Sequence, residues 1–200
     1  MPIETDDRDD VLLRRSAKGD QDAFALLYRK YQAPLYRFAL RMTGQSWAAE
    51  EIVQEVFLIV IREPRKFDPN RGTLGGFLYG VARNRVMKHL ERSPRDLPLT
   101  EETDDGFSPD TLASKEMTPV EWAELHERRA RVRAAVLDLP VEFREAVVLC
   151  ELEEMSYEEA ASTLDCPVGT IRSRLHRGRA LLLAKLEMLR EVPRRVHAGQ

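Results

Sequence analysis

The chain has 200 residues, of which 43% are hydrophobic and 32% charged, a balance typical of a soluble globular protein with a buried core. The longest apolar run, Val56 to Ile61, is far shorter than the roughly 20 residues that a membrane helix needs. The net charge is −3, and the first ten residues are acidic where a signal peptide would be basic and then apolar, so we expect a cytoplasmic protein without membrane insertion.

Helical periodicity dominates the sequence, and no alternating strand pattern with hairpin turns occurs, so the predicted fold class is all-α. Apolar residues recur at spacings of three and four from Asp22 to Met42, which predicts a long amphipathic helix. The same pattern predicts helices from Trp47 to Arg62 and from Thr73 to Arg92. Between these two lies a loop, Phe67 to Thr73, that is rich in turn-forming residues.

Residues 93–118 contain three prolines, seven acids and few large apolar side chains. This composition predicts a flexible acidic linker that cannot fold alone. We therefore divide the chain into two helical domains, 8–92 and 119–190, followed by a tail at 191–200.

The second domain begins with a capping-box pattern at Thr118 and Glu121, and the pattern recurs at Ser156 and Glu159. Each pattern predicts the start of a helix, because the two side chains satisfy backbone groups at the helix N-terminus. The predicted helices of this domain span residues 119–138, 140–152, 157–164 and 168–190.

A short helix, a turn at Asp165 to Pro167 and a basic helix form the arrangement of a DNA-binding helix-turn-helix. In the basic helix, Ile171, Leu175 and Leu182 share one side, which we expect to be buried. The opposite side carries guanidinium, hydroxyl and imidazole groups that can reach base edges and phosphates in a major groove, although a plain solvated face has the same composition. Its members are Arg172, Ser173, Arg174, His176, Arg177 and Arg179.

Several glutamates precede this helix and would repel DNA unless they point away from it. We predict that they are solvated and face outward, where a protein partner could reach them. They are Glu142, Glu145, Glu151, Glu153, Glu154, Glu158 and Glu159.

The sequence contains no nucleophile elbow, phosphate loop or HExxH motif, and its four histidines have no acid or metal-ligand partner at motif spacing. We therefore expect no enzyme activity, catalytic residue, cofactor or metal. The two cysteines, Cys150 and Cys166, are too few for a disulfide framework, and we expect both to be reduced structural thiols.

Two segments of the chain resemble one protein family. The segment Leu139 to Arg179 closely resembles region 4 of extracytoplasmic-function (ECF) sigma factors. The resemblance is carried by the sequence MSYEEAASTLDCPVGTIRSRLHRGRALL. Residues 22–92, with DAFALLYRKYQAPLYRFALRMTG, AAEEIVQEVFLIVI and FLYGVARNRVMKHLER, resemble region 2. The resemblance implies a non-enzymatic protein that binds core RNA polymerase, recognises the −35 and −10 promoter elements and helps to melt DNA.

The resemblance also implies roles for individual residues. In region 4, the second helix of the helix-turn-helix reads the −35 element, here through Thr170, Arg172, Ser173, Arg174, His176, Arg177 and Arg179. In region 2, one helix binds the β′ clamp helices of the polymerase, here through Glu51, Ile52, Gln54, Glu55, Phe57 and Leu58. Ile52 and Phe57 could equally be core residues.

The −10 element is bound in the family by a loop that captures a flipped base and by the helix after it. The matching residues are Asp68, Asn70, Arg71, Gly72, Arg83, Asn84, Arg85 and Lys88. Asn70 and Gly72 could instead be turn residues only. The chain departs from the family pattern at Phe77, where tryptophan is common, and at Lys88 and Glu91, whose charges are reversed, which puts the −10 preference at Lys88 in doubt.

Implied partners are promoter DNA, the β′ clamp helices and β flap of core RNA polymerase, and an anti-sigma factor. The acidic linker could pass through polymerase channels as a nucleic-acid mimic or be a plain tether. The alternative function is a stand-alone helix-turn-helix regulator that binds duplex operators without polymerase. That alternative leaves residues 22–92 unexplained.

Overall fold

A computed structural model of the chain describes residues 8–92 and 118–191, and every regular element within these ranges is a helix. The predicted all-α fold class is therefore confirmed. The predicted linker up to residue 117 and the predicted tail beyond residue 191 lie outside the described residues. No helix in the described ranges has both the length and the apolarity that crossing a bilayer requires.

The N-terminal half consists of four α-helices and one short turn. They are α1 (Asp9–Ser16), α2 (Gln21–Thr43), α3 (Ser46–Arg62), a 3₁₀ turn (Pro64–Lys66) and α4 (Leu74–Arg92). Helices α2, α3 and α4 match the three that the apolar periodicity predicts in this half.

Helix α1 was not predicted from the sequence. Its charges suit the helix dipole, with Asp9 and Asp10 in the first turn and Arg14 and Arg15 in the last turn. It is tied to α2 through Asp9, which accepts a 2.7 Å hydrogen bond from Lys30 and a second hydrogen bond from the hydroxyl group of Tyr31. Eight residues are too few for a strong periodic signal, and the acidic start of the chain obscured this helix.

The C-terminal half contains the other four α-helices and a π-helical turn. They are α5 (Pro119–Leu137), α6 (Val141–Val147), the π turn (Val148–Leu152), α7 (Tyr157–Thr163) and α8 (Val168–Glu191). The predicted helix over 140–152 is thus present, but its second part is wound as a π turn.

Local chemistry explains where these helices begin and end. Thr118 with Glu121 and Ser156 with Glu159 form the two predicted capping boxes, at the starts of α5 and α7. Helix α2 ends at Gly44, whose φ of 75° is the left-handed conformation that favours glycine.

Each half has its own apolar centre. In the N-terminal half, α2 buries Leu35, Phe38 and Met42 completely against its neighbours α3 and α4. The C-terminal half buries Leu139 and Leu149 completely beside the apolar side of α8. Each such side chain contributes about 1.5–3 kcal/mol through removal from water.

The two halves are in contact with each other. Helix α2 touches α5 and α6, and helix α4 touches α7. This contact positions the C-terminal helices beside the surface of α4, where several candidate DNA-binding residues lie.

Candidate nucleic-acid interface

Helix α8 is the second helix of the helix-turn-helix, and it packs against α6 and α7. Ile171 and Leu175 are 0% and 2% exposed, and Leu182 packs against the same core. The predicted buried side of this helix is therefore confirmed. Asp165, in the turn before the helix, has a φ of 49°, which reverses the chain between α7 and α8.

The other side of α8 carries the predicted −35 residues. Two of them, Thr170 and Arg174, are partly buried. The remaining five are exposed, and they are Arg172, Ser173, His176, Arg177 and Arg179. The helix thus presents exposed cationic and polar groups on the side opposite its buried apolar residues.

Arg179 is held by an acidic residue of its own half. It donates a hydrogen bond to Glu151 in the π turn, and this bond raises the pKa of the guanidinium. Both side chains remain exposed to solvent. Glu151 therefore orients an arginine at the edge of the basic face instead of pointing away from it.

Gly178 lies on the buried side of α8, at a close approach to α6. A Cβ atom at this position would lie 2.8 Å from Cγ2 of Val147 and 3.4 Å from the backbone oxygen of Phe143. This contact was not predicted from the sequence, although a glycine in the middle of a helix is itself a signal of close packing. The absence of a side chain here lets α8 lie directly on α6.

The predicted −10 loop is exposed at Asp68, Asn70, Arg71 and Gly72. The Asp68 carboxylate accepts hydrogen bonds from the backbone N–H and the side-chain amide of Asn70, both at 3.0 Å. Gly72 has a φ of 151°, which other residues rarely adopt. Asn70 and Gly72 thus have the turn-forming roles that we considered as the alternative, and their roles toward DNA stay predictions.

The predicted −10 residues of α4 differ in their availability. Asn84 and Lys88 are exposed, and Lys88 forms no ion pair with Glu91 within the described ranges. Arg85 forms an ion pair with Glu55 of α3 at 3.1 Å. A candidate DNA-binding residue is thus paired with a candidate polymerase-binding residue.

Arg83 pairs with a residue of the other half. Its Nε and Nη2 atoms donate to the two carboxylate oxygens of Glu145, at 2.5 and 3.4 Å. The Glu145 side chain is only 3% exposed. This ion pair joins α4 to α6 across the interface between the two halves.

Glu153 forms a second acidic contact with the N-terminal half. Its carboxylate accepts a 3.0 Å hydrogen bond from the hydroxyl group of Tyr79 and another from Arg41, while Arg37 lies at 3.9 Å. Burial raises the pKa of Glu153, and the charge of Arg41 opposes that rise.

The prediction that the glutamates of this half are solvated is wrong for Glu145 and Glu153. Both side chains are 3% exposed, because each is buried against cations of the N-terminal half. A signal for Glu145 was present in the sequence, since Val141, Val148 and Leu149 lie three or four residues away and mark the same helix side as buried.

The predicted polymerase-binding residues lie on α3. Glu51, Gln54 and Leu58 are exposed, and Glu55 is partly buried. Ile52 and Phe57 are each only 4% exposed. Their side chains belong to the core that supports the outer side of α3, which is the alternative given for these two residues.

The described residues contain no group of three potential metal-binding side chains. Cys150 and Cys166 are not joined to each other. Burial raises the pKa of the Cys150 thiol to about 11, so this group is protonated at neutral pH.

The fold and the basic face define the class of the protein. An exposed cationic row on the second helix of a helix-turn-helix is typical of a DNA-binding protein. Two families match the chain, Sigma-70 region 2 over residues 27–95 and Sigma-70 region 4 over residues 129–182.

Curated relatives extend this match over nearly the whole chain. The RNA polymerase sigma-H factor of Pseudomonas aeruginosa is 34% identical over 94% of this chain and 98% of its own length. The ECF RNA polymerase sigma-E factor of Escherichia coli K12 is 35% identical over 90% of this chain and 95% of its own. The ECF sigma factor SigE of Mycolicibacterium smegmatis is 36% identical over 83% of this chain, which spans only 63% of that relative.

Solved structures agree at the level of the fold. CnrH, in complex with the cytosolic domain of CnrY, has a TM-score of 0.66 at 24% identity, over 90% of this chain and 97% of that one. The sigma factor RpoE of Bartonella quintana, in complex with the anti-sigma factor NepR, has a TM-score of 0.55 at 22% identity, over 78% of this chain and 92% of that one. The chain belongs to the ECF sigma factors of RNA polymerase, as the resemblance of its two segments predicts.

Proposed function

We propose that this protein directs core RNA polymerase to promoters, with α8 on the −35 element, α3 on the polymerase, and α4 with the loop before it on the −10 strand. The protein catalyses no reaction itself. It acts in the cytoplasm, where the polymerase transcribes DNA. The acidic linker joins the two DNA-binding halves, and the domain division at 8–92 and 119–190 is part of this proposal.

The observation that carries the proposal is the exposed basic side of α8 directly opposite its buried apolar side. In a major groove, Arg172 and Arg177 can each form a bidentate pair with a guanine, and Ser173 and His176 can reach single base-edge groups. Arg174 and Arg179 flank this row, where contact with phosphate is geometrically easier. Thr170 lies at the N-terminal end of the same helix, close to the entry into the groove.

For the polymerase, we propose the outer side of α3 as the contact surface toward the β′ clamp helices. The exposed Leu58 supplies an apolar contact, and Glu51 and Gln54 supply polar ones. Gln54 also lines a groove between α2 and α3 together with Tyr28 and Tyr36. The C-terminal half would contact the β flap.

For the −10 strand, we propose that the loop of Asp68, Asn70, Arg71 and Gly72 receives a flipped base. The helix after the loop would hold the backbone through Arg83, Asn84, Arg85 and Lys88. Extruding a base costs a few kcal/mol, which polar loop groups and cations on the backbone can offset. The exposure of the loop and of Asn84 and Lys88 on α4 supports this assignment.

We also propose a protein regulator of the anti-sigma type. The similar fold of RpoE is found in a complex with the anti-sigma factor NepR, and such a complex is an expectation for this chain. The exposed Tyr28, Leu58 and Ile61 of the N-terminal half offer apolar surface for such a partner.

The test is run-off transcription and promoter binding with the purified chain, with and without core polymerase, over a series of salt concentrations. Promoter opening and initiation that require both components would support the proposal. Tight, specific duplex binding by the chain alone, with no effect on core polymerase, would favour the stand-alone regulator instead.

A further inference from the structure

One arginine on the basic face of α8 is paired within the protein, and the others are not. Arg172, Arg174 and Arg177 form no ion pair with any residue in the described part of the chain. Arg179, in contrast, donates a hydrogen bond to the Glu151 carboxylate and forms an ion pair with it. This pair joins α8 to the π turn that follows α6.

Arg179 lies at the far end of the proposed DNA-binding face. Arg172, His176 and Arg179 follow each other at spacings of four and three residues, so they share one side of α8. At 1.5 Å per residue, Arg179 is about 16 Å from the start of the helix. Because a major groove is only about 12 Å wide, a helix that reads bases with its first turns places Arg179 at the rim, beside the phosphates.

The Arg179 guanidinium is held by two other elements of the same half. Glu151 binds it from the π turn, and Tyr157 at the start of α7 contributes a further side-chain hydrogen bond. The side chains of Arg179 and Glu151 are 56% and 38% exposed, so a DNA phosphate can still reach the pair. An arginine has five N–H donors, and it can therefore keep its carboxylate partner while it binds a phosphate.

The neighbouring carboxylate changes what Arg179 contributes to DNA binding. A free arginine is attracted to every phosphate and strengthens binding to any sequence. A carboxylate beside the guanidinium cancels that attraction at a distance and repels phosphates that approach from other directions. Only a phosphate that meets the remaining donors of the fixed guanidinium is bound favourably, and this requires one register of the helix in the groove.

We propose that Glu151 is a positioning residue that increases specificity for the −35 element, because it holds Arg179 toward one phosphate and keeps it from binding others. The inference rests on the proposed function of α8. Glu151 lowers the affinity for unrelated DNA more than the affinity for the −35 sequence, which is how a repulsive group improves discrimination.

The test compares the full-length wild type with Glu151→Gln, which keeps the size of the side chain and removes its charge. The probes are two fluorescein-labelled duplexes, one selected by the wild type from a random pool and one of scrambled sequence. Anisotropy measures both affinities over a series of salt concentrations.

For the scrambled duplex, we expect Glu151→Gln to bind about three- to fivefold more tightly, which is the size of effect that an exposed ion pair can have. The salt dependence of this binding should become steeper by about one, since Arg179 is then an additional free cation. The selected duplex should show no such gain, so the ratio of the two affinities falls by the same factor. An unchanged ratio and an unchanged salt slope would contradict the inference.

The matched control is Glu158→Gln in α7, where Glu158 is exposed and forms no ion pair with any described residue. It should raise the affinity for both duplexes alike and leave their ratio unchanged. An equal loss of selectivity in both glutamine variants would overturn the inference, because net charge alone would then explain it. A parallel fall of both affinities in Glu151→Gln, with a lower melting temperature, would also overturn it and would make the pair a purely structural contact.

Arg179→Ala tests whether Glu151 acts through this arginine. In the Arg179→Ala background, Glu151→Gln should no longer change the selectivity, and an undiminished change would contradict the inference. The wild type separates the two proposals. A selective wild type with an equally selective Glu151→Gln variant rejects the role of Glu151 alone, whereas a wild type that enriches no sequence from the pool rejects the proposed function of α8.

Discussion

The two candidate DNA-binding surfaces use the same chemistry but differ in their availability. On α8, Arg172 and Arg177 extend into solvent, and Arg179 is exposed although it pairs with Glu151. On α4, Arg83 is covered by Glu145 of the opposite half. Arginines in a matching motif therefore do not establish that a surface can bind DNA, because a carboxylate of the same chain can form an ion pair with the same guanidinium.

Only Arg83 of the candidate −10 residues is paired with the opposite half, whereas the loop, Asn84 and Lys88 are exposed. The following changes test each side of the comparison.

The largest effect is expected on the open surface, from Arg172→Ala/Arg177→Ala. Each base-reading arginine contributes about 1–3 kcal/mol of discrimination, so together they should lower affinity for −35 duplex DNA roughly a hundredfold. An electrophoretic mobility shift with a selected duplex measures the loss. Lys185→Ala on the same helix is the control, because Lys185 already pairs with Asp138 at 3.0 Å. Equal losses in both variants would refute base reading by this face.

On the covered side, Arg144→Met removes a guanidinium that bonds to three backbone oxygens. The buried acceptors left unpaired should destabilise the protein by about 2–3 kcal/mol, which lowers the melting temperature in circular dichroism. The control, Arg131→Met, breaks only an exposed pair with Glu127 and should cost less than about 0.5 kcal/mol. Similar melting temperatures for the two variants would show that the buried contact is unimportant.

A smaller effect concerns the packing beneath the open surface. Gly178→Ala forces a methyl group against Val147, and we expect a net destabilisation of about 1 kcal/mol despite the better helix propensity of alanine. Gly80→Ala in α4 meets nothing within 4 Å and should instead stabilise by about 0.5–1 kcal/mol. Urea denaturation gives both values, and shifts of the same sign would contradict the close contact at Gly178.

The smallest effect is expected at Lys88, which is exposed on α4. Lys88→Asp should weaken single-strand binding several-fold and reduce the salt slope by about one, as loss of a phosphate contact does, or shift the −10 preference. The melting temperature should stay unchanged. Equal promoter activity and an unaltered −10 profile would exclude a role of Lys88 in DNA binding.

Local signals in the sequence predicted the features that depend on neighbouring residues. The capping boxes at Thr118 and Ser156 and the buried side of α8 follow from spacing along a single helix, and the structure confirms them. The assignment to the ECF family is likewise confirmed, because its motifs are contiguous stretches of sequence.

The features that depend on contacts between distant residues were not predicted. Glu145 and Glu153 belong to acidic stretches that resemble a solvated surface, and their partners Arg83 and Arg41 are 62 and 112 residues away. No periodicity within one helix reports such a pairing. Ile52 and Phe57 illustrate the same limit, since the family motif does not separate a residue that makes contact from one that supports it.

The π turn at Val148–Leu152 has a consequence for the geometry of these acids. Glu153 donates its backbone N–H to the oxygen of Val148, five residues earlier, at 2.9 Å, so this turn holds one residue more than an α-helical turn. Glu151 lies within this turn and accepts a hydrogen bond from Arg179 of α8. Glu153 follows the turn directly and accepts one from Arg41 of the opposite half. Deletion of a single residue before Glu151 would restore the α-helical register and turn the last residues of this helix by about 100° relative to α6. The extra residue thus works as an angular offset that places Glu151 beside Arg179 of α8 and Glu153 beside Arg41 of the opposite half.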